Sequence, residues 1–267
     1  MQTTQAVQGS APVQGELWGA RARDYANFQE PQVRPLFEDA IERTGIGHGT
    51  TVLDVGCGPG GFCRLAAETG ATVVGIDASQ AHVEISRERV LSGRFDVGDM
   101  QFLPYEDDSF DVVTGFNSFQ YAADRVAALR EARRVARPGG IVHVVVWGRE
   151  ERTELVAALR AVGPLLPPAP PGAPGPFALS YPGQLEALVE QAGLTPTDEG
   201  YIELGLEYPD ETALLKGNNS NGPVVLAERT SGEATVANAV RAALAPFRNS
   251  SGAYRIETEW RYVTARV

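Results

Sequence analysis

Residues 52–61 read Val-Leu-Asp-Val-Gly-Cys-Gly-Pro-Gly-Gly, and no other stretch constrains the fold of this chain as strongly. The run opens as an apolar strand and becomes a glycine loop. Gly56, Gly58 and Gly60 let backbone come within contact distance of a ligand, which a Cβ would block. Pro59 suits the first turn of a helix, where its missing N–H has no intrahelical partner. A second apolar run, Val73 to Ile76, ends at Asp77, twenty-one residues beyond Gly56, and a third short run ends before Asp99, twenty-two further on. A glycine loop with acids at successive strand ends suits a nucleoside: backbone around the polar tail, one carboxylate for the ribose and one for the base.

Gly56, Gly58 and Gly61 also satisfy the G-x-G-x-x-G dinucleotide fingerprint, with Asp77 where that fingerprint places its ribose acid. Two features point elsewhere. Asp54 stands two residues before the first glycine, where a nearby pyrophosphate favours an apolar residue. Asp99 offers an acceptor to an adenine amino group, and Met100 a soft apolar contact to its ring. An acidic site suits a ligand carrying a sulfonium and an ammonium better than one carrying two phosphates. With Asp-x-Gly-x-Gly-x-Gly, Gly-Ile-Asp and Gly-Asp-Met in this order, the chain resembles class I S-adenosylmethionine-dependent methyltransferases over roughly residues 15–150, and more loosely beyond. In general pattern it is similar to the bacterial enzymes that methylate ubiquinone and menaquinone, a group with many members in natural-product pathways.

That resemblance implies an α/β fold, a doubly wound Rossmann-like seven-stranded sheet whose last strand is antiparallel, with helical lid insertions. It implies S-adenosylmethionine as cofactor and S-adenosylhomocysteine as product. The cofactor-binding positions become Tyr25, Asp54, Gly56, Gly58, Gly60, Asp77, Ala78, Asp99, Met100 and Asn117, and the acceptor-facing ones Trp18, Phe28, Phe119, Gln120 and Trp147.

Composition narrows the acceptor. A net charge of −11 over 267 residues argues against nucleic acid, whose affinity rests on Lys and Arg neutralising phosphates. No run of 18 apolar residues and no basic amphipathic helix points to a membrane. A small molecule or a peptide remains. Cys57 and Cys63 have no third ligand beside them, so a metal site is not expected; they read as packing residues in a reducing cytoplasm. Residues 1–14 lack the apolar stretch of a signal peptide and read as a loose tail, with residues 15–267 as one methyltransferase domain. Oligomeric state has no signature here. A single lysine, Lys216, against many arginines, with abundant Pro and Ala, fits a high-GC genome and is compatible with secondary metabolism.

Strands are predicted at about 50–55, 71–76, 93–97, 110–116, 141–147, 200–207 and 254–267, alternating with helices, which implies right-handed crossovers and a parallel sheet. A short helix is predicted over 16–30 and a second over 31–44; a stiff Pro- and Gly-rich segment covers 164–176. Residues 209–249, helical in two pieces, read as a lid insertion between the last two strands.

Methyl transfer from a sulfonium is an in-line displacement, and positioning does most of the work. A general base is needed only where the attacking atom must lose a proton. Three histidines are available: His48 in a turn, His82 after Asp77 and His143 inside the fifth strand, each more readily structural than catalytic. Tyr25, Gln120, Tyr121 and His143 are the catalytic candidates. In the resembled fold Asn117 to Tyr121 lies beside the transferring methyl, with Asn117 offering carbonyl oxygen to the cofactor's ammonium, and Tyr25 or Trp18 can face a sulfonium with its ring. A peptide-modifying methyltransferase, a nicotinamide-dependent oxidoreductase and a non-catalytic cofactor-binding protein are the alternatives.

Overall fold

The alternating apolar runs fold into one sheet with helices on both faces. The computed structural model describes residues 9–169 and 174–267. The seven strands are β1 (Thr51–Val55), β2 (Thr72–Asp77), β3 (Arg94–Val97), β4 (Phe110–Phe116), β5 (Ala136–Trp147), β6 (Thr195–Tyr208) and β7 (Tyr254–Arg266). Their order is β3-β2-β1-β4-β5-β7-β6, with β7 antiparallel to both neighbours and the rest of the pairings parallel. The chain winds outward from β1 to β3 and then returns to β4, so the strand order switches between β1 and β4. In open sheets of this kind the ligand crevice lies beyond the strand ends at that switch.

Strand alternation supplies a core on each face. Val52 joins Leu36, Phe37, Phe62, Val112 and Trp147 on one side, while Leu53 and Val55 join Val113, Leu129, Val144 and Val263 on the other. Asp54 shares the face of Val52. Its register neighbours across the sheet are Thr114, then His143, then Thr264, a polar row crossing an otherwise apolar face.

The sheet is covered by α3 (Arg34–Thr44), α4 (Gly61–Glu68), α5 (Gln80–Arg89), α6 (Arg125–Val135), α7 (Val156–Val162) and α8 (Gln184–Gln191). Three helices, not two, fill the insertion before β7: α9 (Glu211–Asn218), α10 (Gly222–Ser231) and α11 (Glu233–Leu244). The extra break is Gly232, whose φ of +90° is costly for any other residue.

The amino-terminal region departs most from expectation. Helix α1 (Ala11–Gly19) starts inside the segment read as a loose tail, and residues 1–8 lie outside the described residues. The single helix expected over 16–30 is instead α1, a one-turn α2 (Ala22–Asp24) and a π-helical turn, Tyr25–Gln29, followed by a 3₁₀ turn, Glu30–Val33. Such π turns are uncommon and cluster at functional sites. Pro59 precedes the Gly60 N-cap of α4 and does not enter the helix. The Pro138-Gly139-Gly140 turn is an irregularity within β5, between Ala136 paired to Phe110 and Ile141 paired to Val112. Part of the Pro-rich segment, residues 170–173, lies outside the described residues.

Candidate active site

The carboxyl ends of β1, β2 and β4 open into two joined cavities. The first, about 700 Å³, is lined by Gly56, Gly58, Asp77, Ala78, His82, Asp99, Met100, Ser118 and Tyr121, and roofed by Ser10, Gln14 and Trp18 of the amino-terminal segment. The second, about 590 Å³, is lined by Gln29, Glu30, Phe37, Asp54, Phe62, Trp147, Asn221 and Trp260. Tyr25, Gly56, Gly58, Phe116 and Asn117 belong to both and form the wall between them.

The glycine loop is shaped by close approach. Gly56 has φ +76°, and a Cβ there would sit 2.4 Å from the Ser118 Cβ. Gly58 also has positive φ, yet a Cβ there would meet only the edge of Tyr25 at 3.9 Å, so its face is open to the cavity. The loop is tied to β2 through the amides of Gly56 and Cys57, which both donate to the Ile76 carbonyl.

Asp77 accepts from Gly58 N–H at 2.9 Å and Ser79 N–H at 2.8 Å, one at each carboxylate oxygen. Burial pushes its carboxyl up, but the His82 ring and those two amides outweigh it and hold Asp77 below its ordinary value. Ser79 caps α5 by accepting from His82 N–H. Asp99 accepts from Gln101 N–H at 2.8 Å, and its other oxygen lies 3.5 Å from Ala11 N.

Asp54 is buried, with Thr114 Oγ1 donating to it at 2.8 Å. Burial is the largest cause raising its carboxyl to about 7, with Asp77 and Glu30 adding like charge. Glu30 is also buried; Gly61 N–H donates to it at 2.7 Å and Arg89 at 2.6 Å. Trp18 packs edge-on against both Tyr25 and Tyr121, with ring centroids 5.8 and 5.4 Å apart. Burial raises the Tyr25 phenol and pushes Tyr121 up to about 12, so both hold their protons at neutral pH. Trp147 stacks on Trp260 at 4.4 Å.

Several expected site residues stand elsewhere. His143 is fully buried in β5, with Nδ1 2.9 Å from Thr264 Oγ1; burial drives it down to about 4, leaving it neutral and away from both cavities. Phe119 is buried in the core against Gly115. Phe28 packs against the core with Lys216 over its ring. Gln120 lines neither cavity; its amide donates to Asn117 Oδ1, so the Asn117 side-chain oxygen is engaged. Gly60 acts at the helix start, where a Cβ would press on Ser86. Conversely, sequence reasoning reads His82 as structural and does not single out Glu30, Asn221, Trp260 or the roof residues Ser10 and Gln14. Pattern gives little signal for these, since most reach the cavities from elements distant in sequence.

Chemically, both cavities are acidic and aromatic, and neither is lined by a Lys or Arg among the described residues. Among the described residues a pyrophosphate finds two carboxylates and no Lys or Arg in the first cavity. A nucleoside bearing a sulfonium and an ammonium finds Asp77 and Asp99 in one cavity, Asp54 and aromatic faces in the next. The residues present therefore fit that group.

Comparison with known proteins agrees. The "Methyltransferase domain" family matches residues 53–144. The malonyl-[acyl-carrier protein] O-methyltransferase of Erwinia pyrifoliae is 31% identical over 200 residues, covering 74% of this chain and 71% of that protein. Methyltransferase GfsG of Streptomyces halstedii is 43% identical over 123 residues, covering 42% and 44%. A solved structure described as "Conversion of a Disulfide Bond into a Thioacetal Group during Echinomycin Biosynthesis" shares the fold, with a TM-score of 0.61, 20% identity, and coverage of 94% and 91%. The chain thus belongs to the class I S-adenosylmethionine-dependent methyltransferases. It spans about half the length of several curated relatives that it matches, GfsG among them.

The roof depends on two glycines in α1. A Cβ on Gly15 would lie 2.2 Å from the Ala78 carbonyl oxygen, and one on Gly19 2.6 Å from Ser79 Oγ. Helix α1 therefore lies directly on the turn that follows Asp77. Gly15→Val forces backbone apart, at a cost of about 1–3 kcal/mol. The expected result is a roughly ten- to hundredfold weaker dissociation constant for S-adenosylhomocysteine by calorimetry, with the sheet's far-ultraviolet spectrum retained. Unchanged affinity would show that α1 does not cover the bound ligand.

Proposed function

We propose that this chain transfers the methyl group of S-adenosylmethionine to a small, largely apolar organic acceptor and releases S-adenosylhomocysteine. The observation that carries the reading is the pair of joined cavities: one built for a nucleoside by Asp77, Asp99 and the open face of Gly58, the other enclosed by aromatic rings and separated from it only by Tyr25, Gly56, Gly58, Phe116 and Asn117. When bound, the cofactor supplies an electrophilic methyl group on a sulfonium. Asp77 holds the nucleoside half, and Tyr25, Trp18 and Tyr121 present ring faces and edges around the wall. Phe116 and the stacked Trp147 and Trp260 exclude water from the second cavity, where an acceptor is oriented. With both tyrosines protonated and His143 neutral and remote, the proposed device is positioning, with Asp54 or Glu30 the carboxylates that face the acceptor space.

Helices α9 to α11 act in this reading as a lid: α10 brings Asn221 to the second cavity and its Gly222 against Trp18. Such a cover favours a small acceptor over a peptide lying in an open groove. A cytoplasmic place in secondary metabolism belongs to the same proposal; among the described residues no helix is long and apolar enough to cross a membrane.

Calorimetric titration with S-adenosylmethionine and with NADH tests the reading. Micromolar binding of the sulfonium compound and none of NADH is expected. NADH binding alone would return the loop to a dinucleotide role. Binding of S-adenosylmethionine in a crystal whose second cavity is filled by the chain's own side chains would favour a non-catalytic binding protein.

A further inference from the structure

We propose that His82 reads the cofactor's ribose: a ring nitrogen of His82 hydrogen-bonds one hydroxyl of the diol that Asp77 also holds, so that the site selects an intact, unmodified ribose. This rests on the cofactor reading above and adds a specificity residue to it.

His82 is 2% exposed and lines the first cavity, yet among the described residues neither Nδ1 nor Nε2 has a hydrogen-bond partner. A buried polar group left without a partner costs on the order of 1–3 kcal/mol, so native structures rarely leave one unless a ligand or water completes it. Asp77 Oδ1 stands 3.6 Å from Nδ1, near enough for the ring to act electrostatically on the carboxylate but beyond hydrogen-bond length. The residue is held at its backbone and packed at its ring. Its backbone is pinned by Ser79 Oγ at the start of α5, and Tyr25 packs against it with centroids 5.4 Å apart.

The donor and acceptor inventory explains why a second residue is needed. Asp77 only accepts, and each of its oxygens already takes one amide N–H. It can receive the protons of a diol but cannot satisfy the lone pairs of the hydroxyl oxygens. An imidazole N–H can. Asp77 and His82 together offer what a vicinal diol requires, acceptor and donor side by side. A 2′-phosphate in that place would bring a dianion against the Asp77 carboxylate, with no Lys or Arg among the described residues lining the cavity to offset it.

The test is a coupling measurement. S-adenosylhomocysteine and its 2′-deoxy and 3′-deoxy counterparts are titrated by calorimetry into the wild type, His82→Leu and His82→Gln. The expected result is about tenfold weaker binding of S-adenosylhomocysteine to His82→Leu. For one of the two deoxy compounds the penalty for the missing hydroxyl shrinks by about the same factor in His82→Leu, while for the other it is unchanged. His82→Gln, whose amide keeps a donor, retains most of the discrimination, and the ligand-free melting temperature of His82→Leu is unchanged or higher because an unpaired buried polar group has been removed. Penalties for both deoxy compounds equal in the wild type and in the two variants would overturn the assignment while leaving the cofactor reading intact. Failure of the wild type to bind S-adenosylhomocysteine would overturn both.

Discussion

Asp77→Ala is expected to abolish measurable binding of S-adenosylmethionine and S-adenosylhomocysteine, a loss of at least about a hundredfold. Hydrogen bonds to a charged acceptor contribute roughly 1.5–3 kcal/mol each, and a ribose diol donates two. The substitution also strands the Gly58 and Ser79 amides, which Asp77 now holds at 2.9 and 2.8 Å. The loop and the start of α5 therefore lose their common anchor along with the ligand contact. Asp77→Asn separates these effects. It keeps one accepting oxygen and the side-chain volume but removes the charge, and it is expected to fall between wild type and Ala, with a melting temperature nearer wild type. Calorimetry of the three proteins with S-adenosylhomocysteine, beside circular dichroism of the ligand-free forms, checks this. Wild-type affinity in Asp77→Ala would mean that the nucleoside lies elsewhere and that the carboxylate only fastens the loop.

What could be read in the chain beforehand follows from how local each feature is. The strands from β1 to β5 and the acids at their ends come from short apolar runs closed by Gly, Asp or Asn, and β1, β4 and the end of β5 are buried nearly throughout because helices cover both faces of the sheet. The seven-stranded order with an antiparallel β7 came through resemblance, since no local pattern tells a strand which neighbour it will take. Helix α1 stayed hidden because its stability is tertiary. Gly15 and Gly19 have low helix propensity, yet they are small so that the helix can lie on Ala78 and Ser79. His82 reads as structural in sequence because the cavity it faces is completed by Tyr25 from a distant turn. Trp260 and Asn221 come to the second cavity from β7 and α10, more than a hundred residues after Phe116 and Asn117 on the same wall. His143, taken as a catalytic candidate, lies in a strand interior where register with Thr114 and Thr264 decides its surroundings. Phe28, Phe119 and Gln120 show the limit of reading by neighbourhood: adjacent in sequence to cavity residues, they turn to the core or to a hydrogen bond within the loop.

Asp54→Asn is expected to stabilise the ligand-free protein while weakening its hold on the cofactor. Burial has moved this carboxyl from an ordinary 3.8 to about 7, so the folded state keeps a proton that the unfolded chain gives up. The sign follows from linkage: an acid raised on folding stabilises fully below its unfolded value, and that contribution falls as pH rises toward the folded value, then levels off. The window is therefore about pH 4 to 7. At 1.36 kcal/mol per unit, a shift of this size removes about 4 kcal/mol by pH 8, as an upper order of magnitude. Asparagine has the same shape, can accept from Thr114 Oγ1 as the carboxylate does, and carries no charge to bury. Relative to wild type its melting temperature should be higher at pH 8 and nearly equal near pH 4. Binding should move oppositely. A cationic ammonium in the joined cavities favours the ionised carboxylate, so wild-type affinity for S-adenosylmethionine should fall by up to about tenfold for each pH unit below 7. Asp54→Asn should lose that slope and bind more weakly at pH 8. Melting curves and calorimetry at pH 4.5, 6 and 8 decide the matter. A variant no more stable than wild type at pH 8, with its pH slope of binding intact, would mean that the carboxylate is solvated in the free protein and plays no part in holding the ligand's charge.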